Sequence, residues 1–439
     1  MLNNDNIKDI LQTTFNEVKH KKNILLRYTQ KLDFKPNIQS NNKSQSFRIV
    51  YPNSITYVGF DICKEYKLYS NRDFIKLKKL SYTIKSFGDK DTNDTIKLFG
   101  GMSFDMDKLA KYPWENIPKG TFFIPKFLIK KINDQHYLSF YHFIDKKSNI
   151  NNIQDKYQLF INILKEKTKS KNSIITFKKN IPSKEKYFKL FTNYQKKIDS
   201  KIIEKSVLAR MKIFSSNQKI SLKNNKLKCT NFNFNLLDNI HFIGSTPELL
   251  IEINNLEFKS DALAGTYNKN SKLDSSIIIN NFLKNKKELS EHQYVIDYLM
   301  NIFKRYSCEI SFDSNPKILE LEHFYHLHTQ IKGQFNKKNH IIDLATNLHP
   351  TPAILGTPSK KSKEIILKNE PFDRGWYSGY IGWFDLNGNG RFDVSIRSAL
   401  QNNNTLFCFA GSGIIDGSTK YNEWEETESK FQHLLSLIK

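Results

Sequence analysis

Hydrophobic residues follow two periods along this chain. From Asn285 to Tyr306, Leu289, His292, Val295, Ile296, Leu299, Ile302 and Phe303 recur at intervals of three and four. That spacing predicts an amphipathic helix. Tyr421 to Ile438 repeats the pattern with Trp424, Phe431, Leu434, Leu435 and Ile438 facing in, and Glu185 to Ile203 with Tyr187, Leu190, Phe191, Tyr194 and Ile198. Tyr157 to Lys165 has helical spacing, and Met1 to about Lys31 also reads as helix. Short β-type runs broken by turns fill Phe47 to Ile144, among them Ser54–Phe60, Ile96–Phe104 and Thr121–Ile129. More strands are expected at Ser206–Phe214, Ile240–Gly244, Leu249–Ile253, Leu256–Ala262, Leu321–Gly333 and within Gly379–Ile415. The polar segment Asn37–Ser46 reads as a loop. Without regular βαβ alternation, the mixture points to an α+β fold with antiparallel sheets. No repeat or clean linker divides the chain. Residues 1–184 are expected to complete the sheets around 185–439, as one intertwined structural domain.

Composition narrows the class. At 439 residues, with 39% hydrophobic and 13% aromatic content, the chain holds enough for a large core. No apolar run approaches the roughly 18 residues of a membrane span, and no signal-peptide order opens the chain. A cytoplasmic protein without a membrane partner is expected. Cys63, Cys229, Cys308 and Cys408 are far apart and form no CxxC pair, which argues against structural zinc or a disulfide framework. The net charge of +24 would fit a nucleic-acid partner, but only eight of 68 basic residues are Arg and the lysines are scattered. The densest basic stretch, Lys165–Lys189, has few aromatics for base stacking. No nucleic-acid partner is expected; the positive field would instead draw in a small anion.

Two carboxylate pairs stand out. Glu288 and Glu291 sit three apart on one expected helix, Glu423 and Glu426 three apart on another, so each pair shares a helical face. Brought together, they would offer four hard oxygen ligands suited to Mg²⁺. Isolated pairs of this kind are usually solvated helix faces, and spacing alone does not decide. Asp385-Leu-Asn387-Gly-Asn389-Gly390 imitates the start of a calcium loop, but Ile396 stands where the bidentate Glu belongs. A β-hairpin turn is the better reading.

The last hundred residues carry an ordered set: His349-Pro-Thr-Pro-Ala353, Phe372-Asp-Arg-Gly-Trp-Tyr-Ser-Gly379, Val394-Ser-Ile-Arg397, Ala410-Gly-Ser-Gly-Ile414 and Glu423-x-x-Glu-Thr-x-x-Lys430. With Glu204-Lys-Ser-Val-Leu-Ala-Arg210, Gly244-Ser-Thr-Pro-Glu248, Asp261-Ala-Leu-Ala-Gly-Thr266, Ser290-Glu-His292 and His326-Leu-His-Thr329, the chain resembles the chorismate-utilising enzymes, within them the isochorismate synthase branch. The resemblance is dense from Lys205 onward and thinner before, where Phe99-Gly-Gly-Met-Ser-Phe-Asp105 is similar to an element of that branch. It implies a four-layer α/β/β/α sandwich with 185–439 as the chorismate-binding catalytic region. It implies Lys205 as the base that activates water and Glu248 as the acid. Ala264, Gly265, Thr266, His326, Ala353 and Ile354 would lie at the substrate, with Arg397 and Lys430 on its carboxylates and Gly411, Ser412 and Gly413 offering backbone N–H groups. Glu291 and Glu426 would be metal ligands, with Glu288 and Glu423 supporting a Mg²⁺ water shell. Ser206, Ser412 and Thr419-Lys420 depart from the family pattern, and Ser412 would alter the carboxylate pocket slightly.

Isochorismate formation adds water at one ring carbon, C2, while the hydroxyl at C4 leaves. Water needs a base and hydroxide needs an acid. The resemblance therefore asks for a neutral amine at Lys205 and a neutral carboxylic acid at Glu248, and burial favours both. Within the family, Ala264 stands where aminodeoxychorismate-forming members carry a nucleophilic Lys, and Thr351-Pro-Ala353 differs from the Gly-Thr form of ammonia users. No glutaminase subunit is implied, and a monomer is expected. Salicylate synthase, which also eliminates pyruvate, is the nearest alternative, and a catalytically silent binding protein is the alternative of another class. The product would feed menaquinone or catechol siderophore synthesis, and both stay open.

Overall fold

The computed structural model describes residues 4–18, 24–38, 45–52, 55–89, 95–166, 173–223, 228–269, 274–322 and 324–438. Among them lie twenty-one strands and nine α-helices, and the strand pairings are antiparallel except that of Ile24–Leu32 with Thr83–Gly88. Period-two alternation builds the layers. On Ile24–Leu32, Leu25 enters the central core while Ile24 and Leu26 point outward. Tyr57 and Val58 divide in the same way on Thr56–Leu68, as do Leu128 and Ile129 on Gly120–Ile132. The outward set is covered by the helices Asn4–Val18 and Ile150–Lys165. In the C-terminal half, Ala209, Met211 and Ile213 of Lys205–Ser216 and Phe407 and Phe409 of Thr405–Ile414 join the same central core. Leu208, Phe214, Leu406, Cys408 and Ile414 face outward, beneath the helices Lys184–Asp199 and Lys420–Ser436. All these strands belong to one hydrogen-bonded network of twenty-one strands, which runs from 56–68 through 45–50, 230–237, 240–246 and 398–402 to 405–414 and 205–216; its inner faces share one apolar interior and helices cover its outer face. This pattern follows from strand geometry, which sends successive side chains to opposite faces.

Several expectations need correction. Met1–Lys31 is not one helix: Asn4–Val18 is helical, but Ile24–Leu32 is a strand between Thr83–Gly88 and Gln135–Ile144. Asn37–Ser46 includes the first residues of the strand Gln45–Val50, and its residues 39–44, like Ser54 and residues 167–172 of the basic stretch, lie outside the described residues. The helix foreseen at Tyr157 begins earlier, at Ile150. The hairpin at Asp385 is present: Oδ1 of Asp385 accepts the backbone N–H groups of Asn387 and Asn389, both at 2.9 Å, between Tyr380–Asp385 and Gly390–Val394. Cys229 and Cys408 are buried thiols and Cys63 is half-buried.

Four local devices position the site. A hairpin joins Leu249–Asn254 to Glu257–Asn268 and sets Glu248 just before its first strand. Strand 257–268 pairs with Phe324–Phe335, and the register slips between Ala264 and Thr266, at Gly265 with φ +77°. A left-handed residue at such a bulge favours glycine. Strand 205–216 pairs with 405–414, while Gly356–Thr357 pairs with its other edge at Ser206 and Lys205. Finally, the helices Lys286–Phe303 and Lys420–Ser436 are capped by the side chains of Asn285 and Thr419, and each carries its first glutamate, Glu288 or Glu423, in the opening turn. Helix N-termini tolerate that negative charge.

Candidate active site

These elements enclose a cavity of about 690 Å³, part of it open to solvent. Apolar walls with a few convergent polar groups suit a small-molecule site. Its walls include Glu248, Ala264, Gly265, Thr266, Glu291, His326, Ala353, Ile354, Arg397, Gly411, Gly413, Glu426 and Lys430, so thirteen residues singled out from the sequence converge there. Sequence reasoning missed Val207, Pro247, Leu263, Tyr377, Ser378, Ile396, Phe409 and Ala410. Tyr377 and Phe409, stacked with centroids 5.2 Å apart, form one apolar wall, and no spacing rule would have paired them.

Four other residues singled out do not line the cavity. Ser412 alternates to the opposite face of its strand, where its hydroxyl lies 3.1 Å from that of Tyr187, so the expected effect of its side chain on the carboxylate pocket is withdrawn. Lys205 is fully buried behind the wall, with Nζ 2.8 Å from Oε1 of Glu291. A Cβ on Gly413 would come within 2.4 Å of that Oε1 and 3.1 Å of Lys205 Cε. Only glycine leaves room there for the lysine to reach the carboxylate. Glu288 and Glu423 stand in the layer behind Glu291 and Glu426.

Glu248 is 2% exposed. Burial, and then the nearby Asp261 carboxylate, pushes its pKa up to about 8, while Lys205 and Lys430 pull the other way. It therefore holds its proton at neutral pH, as an acid should.

The four glutamates do come together. Burial, then Glu291, pushes Glu288 up to about 7; burial, then Glu426, pushes Glu423 up to about 7. Burial acts to raise Glu291, but Lys205 with Nζ at 2.8 Å prevails and holds it low. Lys287, unnoticed in the sequence, inserts Nζ 3.1 Å from Glu423 and 3.7 Å from Glu288. Nζ of Lys430 donates to Glu426 at 2.5 Å and to the carbonyl of Gly411 at 2.8 Å. Among the described residues no three His, Cys, Asp or Glu side chains are grouped so as to hold a metal ion; lysines engage three of these four carboxylates directly. His292, beside Glu291, turns away into the core and meets Thr329 at 2.9 Å.

The far end of the cavity is cationic. Nη2 of Arg397 lies 2.8 Å from Nε2 of His326. Arginine only donates, so Nε2 accepts and Nδ1–H donates, to the carbonyl of Gly265 at 3.0 Å. His326 is therefore neutral; burial, then Arg397, holds its pKa well below the usual range. Nη1 of Arg397 is buried without a hydrogen-bond partner, and burial lowers this guanidinium to about 10. Its φ of +51° is strained for a side chain of this size. Beyond Phe409, strand 405–414 loses its neighbour Ser398–Asn402, so Gly411 and Gly413 present an open edge to the cavity.

Arg374, from the Phe-Asp-Arg-Gly-Trp run, lies outside the cavity and braces it. It pairs with Glu370 and donates Nη1 to the carbonyl of Ile354 at 2.8 Å and Nη2 to that of Val207 at 2.9 Å.

Comparison with known proteins agrees with this geometry. The family described as chorismate binding enzyme matches residues 11–439, and the chain belongs to it. Isochorismate synthase MenF of Bacillus subtilis is 29% identical over 350 residues, 78% of this chain and 74% of that one. Isochorismate synthase EntC of Escherichia coli is 34% identical over 210 residues, 47% of this chain and 54% of that one, so that match spans about half of each. The fold of MenF, the menaquinone-specific isochorismate synthase of Escherichia coli, superposes with a TM-score of 0.77 at 20% identity, covering 98% of this chain and 99% of that one. Anthranilate synthase component I of Streptococcus pneumoniae shares the fold at a TM-score of 0.64 and 16% identity, covering 92% and 95%. No helix among the described residues is long and apolar enough to cross a membrane.

Proposed function

We propose that this chain is an isochorismate synthase, converting chorismate to isochorismate by adding water at C2 as the C4 hydroxyl leaves. The observation that carries this reading is Glu248, a buried carboxyl that keeps its proton at neutral pH and faces the same cavity as an unpaired Arg397 nitrogen. Glu248 gives its proton to the departing hydroxyl. Lys205 takes a proton from the attacking water, and the ammonium so formed has Glu291 beside it as counter-ion. Arg397, held by His326, receives one substrate carboxylate on its free Nη1. Lys430 and the Gly411–Gly413 edge supply further positive character.

The acidic cluster has the donor chemistry of a divalent-cation site, its carboxylates being engaged by Lys205, Lys287 and Lys430 in this structure. Its donors are hard oxygens, and two of them are pushed up by burial and by their like-charged neighbours. Glu291 and Glu426, on the cavity wall, would hold Mg²⁺, with Glu288 and Glu423 behind them. Bound there, Mg²⁺ would supply a positive charge that tethers a substrate carboxylate and offsets the acids.

The test incubates purified protein with chorismate, with and without Mg²⁺, and separates the products. Isochorismate formed only with the metal is expected. Salicylate plus pyruvate would reassign the chain to salicylate synthase. An aminated product on adding ammonium would reject the branch assignment, and no turnover at all would leave a binding protein.

A further inference from the structure

Lysines engage the acidic cluster from three sides, and one of them differs from the other two. Lys205 is fully enclosed, and Lys430 donates to the carbonyl of Gly411 as well as to Glu426. Lys287 is more open. Its side chain is 29% exposed, and its Nζ meets carboxylates on two different helices, Glu423 at 3.1 Å and Glu288 at 3.7 Å.

The local backbone gives Lys287 no reason of its own to point there. It stands in the first turn of helix 286–303, where the aligned peptide dipoles oppose a cation. The carboxylates hold it instead. Glu423 is 1% exposed, and a buried charge needs a partner. Glu288 is anchored independently of the lysine: its Oε2 accepts the backbone N–H of Thr266 at 3.0 Å, and Oε1 is the oxygen turned to Lys287. The acids are thus fixed, while the lysine hangs on a flexible four-carbon stem with solvent within reach. Its ammonium is a compact, strongly hydrated cation among the same hard oxygen donors that suit a hydrated divalent ion.

We propose that Lys287 is a tethered cation that fills the acidic cluster in place of the divalent ion and swings out to solvent when that ion binds. The exchange breaks the contacts of Nζ with Glu423 and Glu288 and makes or breaks no covalent bond. When no divalent ion is bound, the buried carboxylates keep a counter-charge. The exchange also makes Lys287 a determinant of ion selectivity. A monovalent ion brings no more charge than the ammonium it displaces, whereas a divalent ion brings twice as much.

This rests on the cluster being the cation site, and the test separates the two. Purified metal-free protein is titrated with Mn²⁺, and the free ion is read by electron paramagnetic resonance. In a second arm, wild-type protein is treated briefly with acetic anhydride, with and without saturating Mg²⁺, and modification of Lys287 is read by peptide mass spectrometry. Lys287→Met should bind Mn²⁺ about tenfold or more tightly than wild type, because the state free of the lysine is then fully populated. Acetylation of wild-type Lys287 should rise severalfold with Mg²⁺, which a lysine that stays beside the ion would not show. Equal or weaker Mn²⁺ binding by Lys287→Met, or acetylation that Mg²⁺ leaves unchanged or lowers, would overturn the exchange. The labelling arm decides even where Lys287→Met does not fold. Glu291→Gln and Glu426→Gln should lose Mn²⁺ binding. If they bind it like the wild type, the ion lies elsewhere, and the metal assignment fails and the exchange with it. If they lose it while Lys287 stays insensitive to the ion, only the exchange fails.

Discussion

Two helix pairs cover the sheet of this protein, and they do so differently. Helices 4–18 and 150–165 meet the strands mainly with apolar residues, such as Ile7, Leu11, Phe160 and Leu164. Phe160 stacks on Phe127 with centroids 3.9 Å apart. Helices 286–303 and 420–436 also carry an apolar side, but their first two turns bring Glu288, Glu291, Glu423 and Glu426 into a shared, largely buried space. Burying charge is costly unless partners compensate, and here they are Lys205, Lys287 and Lys430. The first pair serves stability. The second gives up some stability to hold a reactive arrangement, and the two should fail differently when altered.

The largest expected effect is chemical. Glu248→Gln and Lys205→Ala should each lower turnover about 10²- to 10⁴-fold in a chorismate assay. Activity near that of the wild type would remove the contrast. Lys205→Ala should also lower the melting temperature, because it strips Glu291 of its buried partner. Beneath the other helix pair, Phe127→Ala on the strand 120–132 should cost about 3–5 kcal/mol in a denaturant titration, with KM unchanged in the protein that remains folded. A third effect is electrostatic. Glu288 and Glu423, pushed up to about 7, and Glu248, to about 8, bind protons more tightly folded than unfolded. Their contribution to stability is therefore fully present below the unfolded pKa near 4.5 and falls as pH rises to about 8. Mg²⁺ should accordingly raise the melting temperature more at pH 8 than at pH 5, since at pH 5 protons already occupy the acids. Equal shifts at both pH values would argue against a metal in this cluster. The smallest effect belongs to Ser412→Ala, which loses its contact with Tyr187 at a cost of about 1 kcal/mol and should leave KM for chorismate within twofold.

Much of this was legible beforehand, and the exceptions have physical reasons. Long amphipathic stretches declare themselves, so the helices at 286–303 and 420–436 lie where spacing put them. Ile24–Leu32 was misread because a short apolar run suits a buried strand and a helix equally. The ordered C-terminal motifs located most of the cavity wall. They could not reveal Lys287 between two acids, or Asp261 against His328, because those contacts join distant segments of chain and carry no spacing signal. Ser412 was misplaced for a simpler reason: a strand that lends two glycines to a cavity must turn the residue between them away.

The bracing by Arg374 bears on selectivity. One side chain ties a strand, a loop and a helix end into a rigid frame. The slot that greets an incoming ring thus has its width set when the protein folds, and little ordering is left for the moment of encounter. Loosening that frame, far from the reacting carbons, should first blur the distinction among similar cyclic diacids and only later slow the reaction itself.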